Sequence, residues 1–202
     1  MLYLLLALLF AAPALAQDDD HAQMAEYERI GQEMTALASR NAWDGVERSY
    51  EALLDTEIPL TAEQHYYGAQ AAAHRGDVAA ARDRAMKALE VEDDQAYHDW
   101  IHRIDQNYGP VSLMGDPGKV GLTIESMPFE PHQSAAVHFA TEQVKETGSF
   151  EGLLPAGHYQ FGPMSLRVRP GVHTERIDIR SDKYMRKLER QQRHDKDDSD
   201  SG

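Results

Sequence analysis

The residues best placed for metal chemistry are His98 and His102, in the segment HDWIH. Histidines four positions apart on a helix lie on one face and can present two imidazole rings to one ion. A zinc metalloprotease would carry a glutamate base after the first histidine, but here the shorter Asp99 follows, and no third ligand stands nearby. Two solvent-facing histidines opposite Trp100 and Ile104 are the simpler interpretation. The sequence therefore predicts no cofactor and leaves this pair as the remaining metal candidate.

Other catalytic signatures are missing from the sequence. There is no Gly-x-Ser-x-Gly elbow, no Ser-x-x-Lys pair and no glycine-rich phosphate loop. The chain has no cysteine, which excludes disulfides and thiolate chemistry, and no carboxylate pair stands out as a glycosidase couple. We therefore predict that the protein is not an enzyme. A metal-dependent hydrolase built on the histidine pair stays open as a third hypothesis.

The formal net charge of −14 restricts the class of partner. Nucleic acids and anionic membrane surfaces both require a basic face on the protein, so neither is expected as a partner. An acidic chain favours solubility and attracts basic partners or cations.

The first 16 residues, MLYLLLALLFAAPALA, have the pattern of a secretory signal peptide. An apolar run from Leu2 to Ala12 precedes a small-x-small cleavage pattern at residues 14–16, although no Lys or Arg stands before the run. An uncleaved membrane anchor is the alternative. Residues 17–23 are expected to form a flexible acidic leader. Export without cysteines indicates a periplasmic or secreted bacterial protein with no stable membrane span after cleavage.

Residues 24–108 carry the pattern of five short helices, because apolar residues recur at steps of three and four. Thr61 with Gln64 predicts a capping box at the start of the third helix. Gly76 followed by Asp77 predicts a tight turn between the third and fourth helices. Gly109-Pro110 is expected to end the fifth.

Two of these helices repeat each other. The segment starting at Asn41 aligns with the one starting at Arg75, with an offset of 35 residues that a single helix does not explain. The clearer unit resembles the tetratricopeptide repeat family. The matching positions are Ala69, Gly76-Asp77, Ala81 and Ala88-Leu89, while His65, Gly68 and Asp93 depart from the family pattern. A generic antiparallel helical bundle is the alternative.

The resemblance implies a binding groove. In tetratricopeptide repeats the first helix of each pair lines a concave surface that holds peptides or neighbouring proteins. In this chain that helix is predicted at residues 61–75, and by resemblance its groove-facing residues are Glu63, Tyr66, Gln70 and His74. The alternative is that these four residues are simply exposed.

Residues 110–181 predict a small antiparallel β-sandwich, because short alternating segments are separated by turns about every ten residues. The segment from Ser134 fits either a strand or a helix, and we favour a strand because a turn at Thr147-Gly148 and further strand-like segments follow it. The turn Leu154-Pro155-Ala156-Gly157 with Tyr159 resembles the end of a PEGA-like or carboxypeptidase-regulatory-like β-sandwich, a kind of module that implies a spacer or adhesive role. Residues 182–202 are expected to be a charged tail, partly helical and then disordered.

The sequence thus predicts an α+β fold, with tetratricopeptide-like helical hairpins followed by a small antiparallel β-sandwich. The predicted function is an exported, non-enzymatic interaction or scaffolding protein of the bacterial cell envelope that binds a protein or peptide through the groove. The alternative is a carbohydrate- or envelope-binding accessory protein that acts through the β-sandwich and takes an envelope glycan.

Overall fold

A computed structural model describes residues 14–124, 129–171 and 173–180. The helices are α1 (Ala14–Ala38), α2 (Trp43–Asp55), α3 (Ala62–Arg75), α4 (Val78–Val91), α5 (Gln95–Asn107) and α6 (Pro131–Thr147). The strands are β1 (Tyr108–Met114), β2 (Leu122–Ile124), β3 (Ser149–Pro155), β4 (Gly157–Phe161), β5 (Met164–Val168) and β6 (Glu175–Asp178). The predicted α+β class is confirmed.

The helix ends follow the local signals in the sequence. At the start of α3, Gln64 N donates to Thr61 Oγ1 at 3.2 Å, and Thr61 N donates to Gln64 Oε1 at 2.9 Å, as a capping box requires. Gly76 ends α3 with a φ of 90°, and Asp77 begins α4 by accepting a hydrogen bond from Ala80 N. The predicted turn between α3 and α4 is confirmed.

The helices pack as successive hairpins, with α3 in contact with α1, α2 and α4. Met34 of α1 and Val46, Tyr50 and Leu53 of α2 are fully buried in one cluster. Small residues line the contact between α3 and α4, where Ala69, Ala81 and Ala85 are inaccessible to solvent. Their lack of bulk lets the two helix backbones approach closely.

Six strands form two three-stranded sheets, in the orders β3-β1-β6 and β2-β4-β5. Residues of both sheets share one core, which includes Leu113, Leu154, Tyr159 and Phe161. The turn at Ala156 passes the chain from the first sheet to the second. There Tyr159 OH donates a buried hydrogen bond to Pro155 O at 2.8 Å.

Two features of the predicted β region are wrong. Residues from Ser134 form α6 and not a strand, because Val137, Ala140 and Val144 recur at helical spacing and pack against the sheets. The sheets are also not wholly antiparallel. The β1 and β6 strands run parallel, a pairing that joins segments far apart in the sequence.

The helical and β regions pack directly on each other. Val78 and Ile104 from the helices share a buried cluster with Tyr108 of β1 and Ala136 of α6. Gly76 lies so close to the backbone carbonyl of Ala135 that a Cβ atom at position 76 would collide with it. Glycine is therefore required at this turn by both its backbone conformation and its neighbour.

The predicted flexible leader, residues 17–23, belongs to α1 instead. No glycine or proline interrupts the sequence between Ala14 and Ile30, so the helix continues through it. Of the predicted signal segment only residues 14–16 are described, and the tail at 182–202 lies outside the described residues. Among the helices described, none combines the length and the apolarity needed to cross a bilayer.

Candidate functional site

A cavity of about 650 Å³ lies where the helical region meets the start of α6. Its lining comes from α3, the start of α4, α5, β1 and the start of α6. It is lined by Tyr66, Gln70, Ala73, His74, Val78, Trp100, Arg103, Ile104, Asn107, Tyr108, Glu130, Pro131, His132, Gln133 and Ala135.

The cavity has an apolar floor and a polar rim. Val78, Ile104 and Tyr108 are buried and form the floor, whereas Arg103 and His132 at the rim are exposed. Burial, together with the smaller effect of the nearby charge of Glu130, raises the pKa of Tyr108 to about 12. The Tyr108 hydroxyl therefore keeps its proton at neutral pH.

Aromatic side chains form the wall between α3 and α5. The ring of Tyr66 lies 4.9 Å from that of Tyr97 and 5.7 Å from that of Trp100, the latter at an interplanar angle of 81°. Tyr66 and Trp100 are half-buried, so each has ring surface available to a ligand. Such rings offer apolar area with little conformational freedom to lose on binding.

Amide side chains stand at the rim. Gln133 Oε1 accepts a hydrogen bond from Glu130 N at 3.0 Å, and Asn107 Nδ2 donates to Arg103 O at 2.7 Å. Each amide retains further donor or acceptor capacity. Together with Gln70 they can hydrogen-bond a peptide backbone or another polar ligand.

His74 lies at the rim and stacks on Trp43, with ring centroids 4.5 Å apart and planes 12° from parallel. Partial burial lowers the pKa of His74 below its ordinary value. The imidazole is therefore mostly neutral at pH 7, and the Trp43 ring of α2 holds its orientation.

The structure brings three of the four predicted groove residues to the cavity. Tyr66, Gln70 and His74 line it, whereas Glu63 lies one helical turn beyond, where its Oε1 accepts a hydrogen bond from Tyr67 OH at 2.7 Å. The four residues still form one stripe, which spans about 16 Å at a rise of about 1.5 Å per residue.

Sequence reasoning missed the other walls of the cavity. Trp100 and Arg103 of α5 and His132 of α6 are the main side chains that it did not include. The helical spacing of Trp100, Ile104 and Asn107 could have indicated a second stripe facing α3. Nothing in the local sequence indicated that α6 would approach it.

A buried polar cluster fixes α3 between its neighbours. Arg84 Nη2 donates to Glu47 Oε1 at 2.9 Å, Arg84 Nη1 donates to the carbonyl of Gly68 at 2.9 Å, and the guanidinium lies 4.3 Å from the ring centre of Tyr50. Arg75 Nη1 also donates to Glu47 Oε1, at 2.6 Å. Burial opposes the charge of Arg84, but the hydrogen bond to Glu47 and the negative potential of Glu47, Tyr50 and Asp77 together outweigh it and raise the pKa of the guanidinium.

The histidine pair on α5 has other neighbours. His98 Nε2 lies 2.8 Å from Asp93 Oδ1, and His102 Nε2 lies 2.8 Å from Gln106 Nε2. Across the described ranges no group of three or more His, Asp or Glu side chains is arranged to hold a metal ion.

Comparison with known proteins adds no relative: no protein-family model, no curated protein and no solved structure matches the chain.

Proposed function

We propose that the protein is exported and acts as a non-enzymatic interaction or scaffolding protein of the bacterial cell envelope. It binds a protein or peptide partner through the groove along α3. The observation that carries this proposal is the cavity at the end of α3, with its apolar floor beneath a polar rim. Its volume lies within the range of ordinary ligand pockets.

The chemistry of the lining suits an extended peptide. An apolar or aromatic side chain of the partner would pack against the wall formed by Tyr66 and Trp100, above the apolar floor. The amides of Gln70 and Asn107 can pair with the partner's backbone at the rim. Because packed helices form the walls, the site is largely formed before binding, which lowers the entropic cost of association.

The groove is tested by photo-crosslinking in intact cells. A photoreactive amino acid at position 70 should capture one defined protein of the envelope, and Tyr66→Ala or Trp100→Ala in the same chain should abolish that product. The same photoreactive residue at position 160, an exposed position on β4, is the matched control.

Capture of the same protein at both positions would refute binding through the groove. So would capture at position 70 that is unchanged by Tyr66→Ala and Trp100→Ala. Retention of the full chain on purified cell-wall glycan, with no protein product at position 70, would favour the carbohydrate-binding alternative.

Export is tested separately. Amino-terminal sequencing of the protein from a periplasmic fraction should begin at Gln17, after the small-x-small pattern at residues 14–16. A mature protein that retains residues 1–16 and fractionates with membranes would show the segment to be an anchor.

A further inference from the structure

The groove between α3 and α5 carries acidic side chains at one end. Glu63 lies in the first turn of α3, and Glu92 and Asp94 lie just before α5. Burial raises the pKa of Tyr97, and the negative charges of Glu92, Asp94 and Glu63 raise it further. Because the ring of Tyr97 lies 4.9 Å from that of Tyr66, α3 and α5 begin at the same end of the groove, and all three carboxylates lie at that end.

The opposite end carries one guanidinium, one imidazole and one carboxylate. Arg103 of α5, His132 of α6 and Glu130 just before α6 stand at the rim of the cavity. Within the part of the chain that the structure describes, Arg103 forms no salt bridge to a carboxylate, whereas His132 lies 3.4 Å from Glu130. Arg103 is therefore the positive group available to a ligand at this end.

The distances from Glu63 and Arg103 to the aromatic wall determine how far apart the matching charged and apolar side chains of a partner must be. Glu63 and Arg103 each lie three residues from an aromatic ring of the wall, Tyr66 and Trp100 respectively, which is about 4.5 Å along a helix axis. An extended peptide advances about 3.3 Å per residue. A partner charge that meets either group therefore lies one or two residues from the side chain that fills the cavity.

We propose, building on the proposed function, that the partner segment carries a basic residue, a large apolar or aromatic residue and an acidic residue within about five consecutive positions. The three occur in that order from the Glu63 end of the groove to the Arg103 end. The apolar side chain packs against the rings of Tyr66 and Trp100, between the two charged ends, and the two charges fix the direction of the chain.

Charge complementarity favours this order over a partner segment whose charged residues are all acidic or all basic. A wholly acidic segment would place a carboxylate beside Glu63 and Asp94, in a protein whose net charge is already −14. A wholly basic segment would be attracted to the protein as a whole but would place a cation against Arg103. Like charges that meet across an interface oppose binding and reject the wrong partner.

The test uses end-blocked peptides with the core Lys-Gly-Phe-Gly-Glu, so that no terminal charge takes part. Three comparison peptides carry two lysines, two glutamates, or alanine in place of the phenylalanine. The full chain with Trp43→Phe retains Trp100 as its single tryptophan, so fluorescence reports binding in the cavity. At physiological salt the dipolar peptide should bind best and the alanine peptide should give no change.

Charge-reversal variants then test each end. Arg103→Glu should weaken the dipolar peptide roughly threefold to tenfold and strengthen the two-lysine peptide. Glu63→Lys should weaken the dipolar peptide similarly and strengthen the two-glutamate peptide. The matched controls are Arg48→Glu and Glu51→Lys, which make the same charge changes at exposed positions on α2 and should leave the ranking unchanged.

Equal affinity for all peptides, a ranking that the variants at positions 63 and 103 do not alter, or no peptide binding at all would overturn the charge order. The crosslinking result separates this failure from failure of the proposed function. If position 70 still captures a partner, the groove binds a segment of different chemistry. If it captures none, both proposals fall together.

Discussion

Gly76 lies against the backbone carbonyl of Ala135 with no room for a Cβ atom between them. This contact joins the turn between α3 and α4 to α6 at Ala135, a residue that also lines the cavity. The backbone of Gly76 is also left-handed, with a φ of 90°. Side-chain volume and backbone strain oppose substitution at the same residue.

We predict that Gly76→Ala destabilises the protein by more than left-handed strain alone. That strain costs roughly 1–2 kcal/mol, and overpacking against a backbone adds about 1–3 kcal/mol. Gly118→Ala is the matched control, because Gly118 has a φ of 69° and nothing within 4 Å of a Cβ atom. Urea denaturation measures the unfolding free energy of both variants. Equal losses in Gly76→Ala and Gly118→Ala would contradict a destabilising contact with Ala135.

Glu47 is predicted to contribute strongly to stability, because its side chain is only 7% exposed and accepts from both Arg75 and Arg84. Glu47→Ala leaves the largely buried Arg84 without a counter-charge, which should cost about 3–5 kcal/mol. Adding Arg84→Met should recover part of that loss. Asp105→Ala, which breaks a more exposed ion pair with Arg82, should change the unfolding free energy by no more than about 1 kcal/mol.

We predict that stability falls on acidification partly through His65. Burial lowers the pKa of His65, and the charges of Lys87 and Arg84 contribute, while the Nδ1 atom lies 3.1 Å from Tyr50 OH. A depressed pKa means that the unfolded chain binds the proton first, near pH 6.5. The contribution of neutral His65 to the unfolding free energy is therefore fully present above that pH. It is lost as the pH falls through the folded-state pKa.

The measurement compares urea midpoints at about pH 7.5 and about pH 5, on either side of an ordinary histidine pKa. His65→Gln should reduce the difference between them, because glutamine does not titrate. His158→Gln, at an exposed position on β4, is the control. An unchanged difference in His65→Gln would show that other groups cause the acid response.

Tyr159→Phe should cost about 1–3 kcal/mol, because the substitution removes a buried donor from the carbonyl of Pro155. Tyr67→Phe removes a hydroxyl that bonds the exposed Glu63 and should cost less. Thermal unfolding of the two variants gives the comparison. Similar melting temperatures would mean that the hydroxyl of Tyr159 does not stabilise the corner between the sheets.

The helical region could be predicted from sequence because its signals are local. Thr61 with Gln64 and Gly76 with Asp77 fix helix ends through bonds that span three or four residues. Three predicted groove residues line the cavity because helical spacing alone places Tyr66, Gln70 and His74 on one stripe.

The remaining features depend on contacts that no local pattern contains. The segment from Ser134 is an exception, because its helix signals are local: Pro131 stands in the first turn, Gly148 follows the end, and the turn-rich segments around it favoured a strand. The parallel pairing of β1 with β6 joins residues more than 60 positions apart. Arg103 and His132 become neighbours of α3 only through tertiary packing.

The position of α6 also orders events during synthesis. The ribosome releases Tyr66 long before His132, so the helices emerge while one wall of the cavity has yet to be translated. A nascent chain that ends before residue 131 leaves Val78 and Ile104 uncovered at the place where Ala136 will later pack. A complete cavity therefore requires α6, and a chain that ends before residue 131 would lack one wall of the binding site.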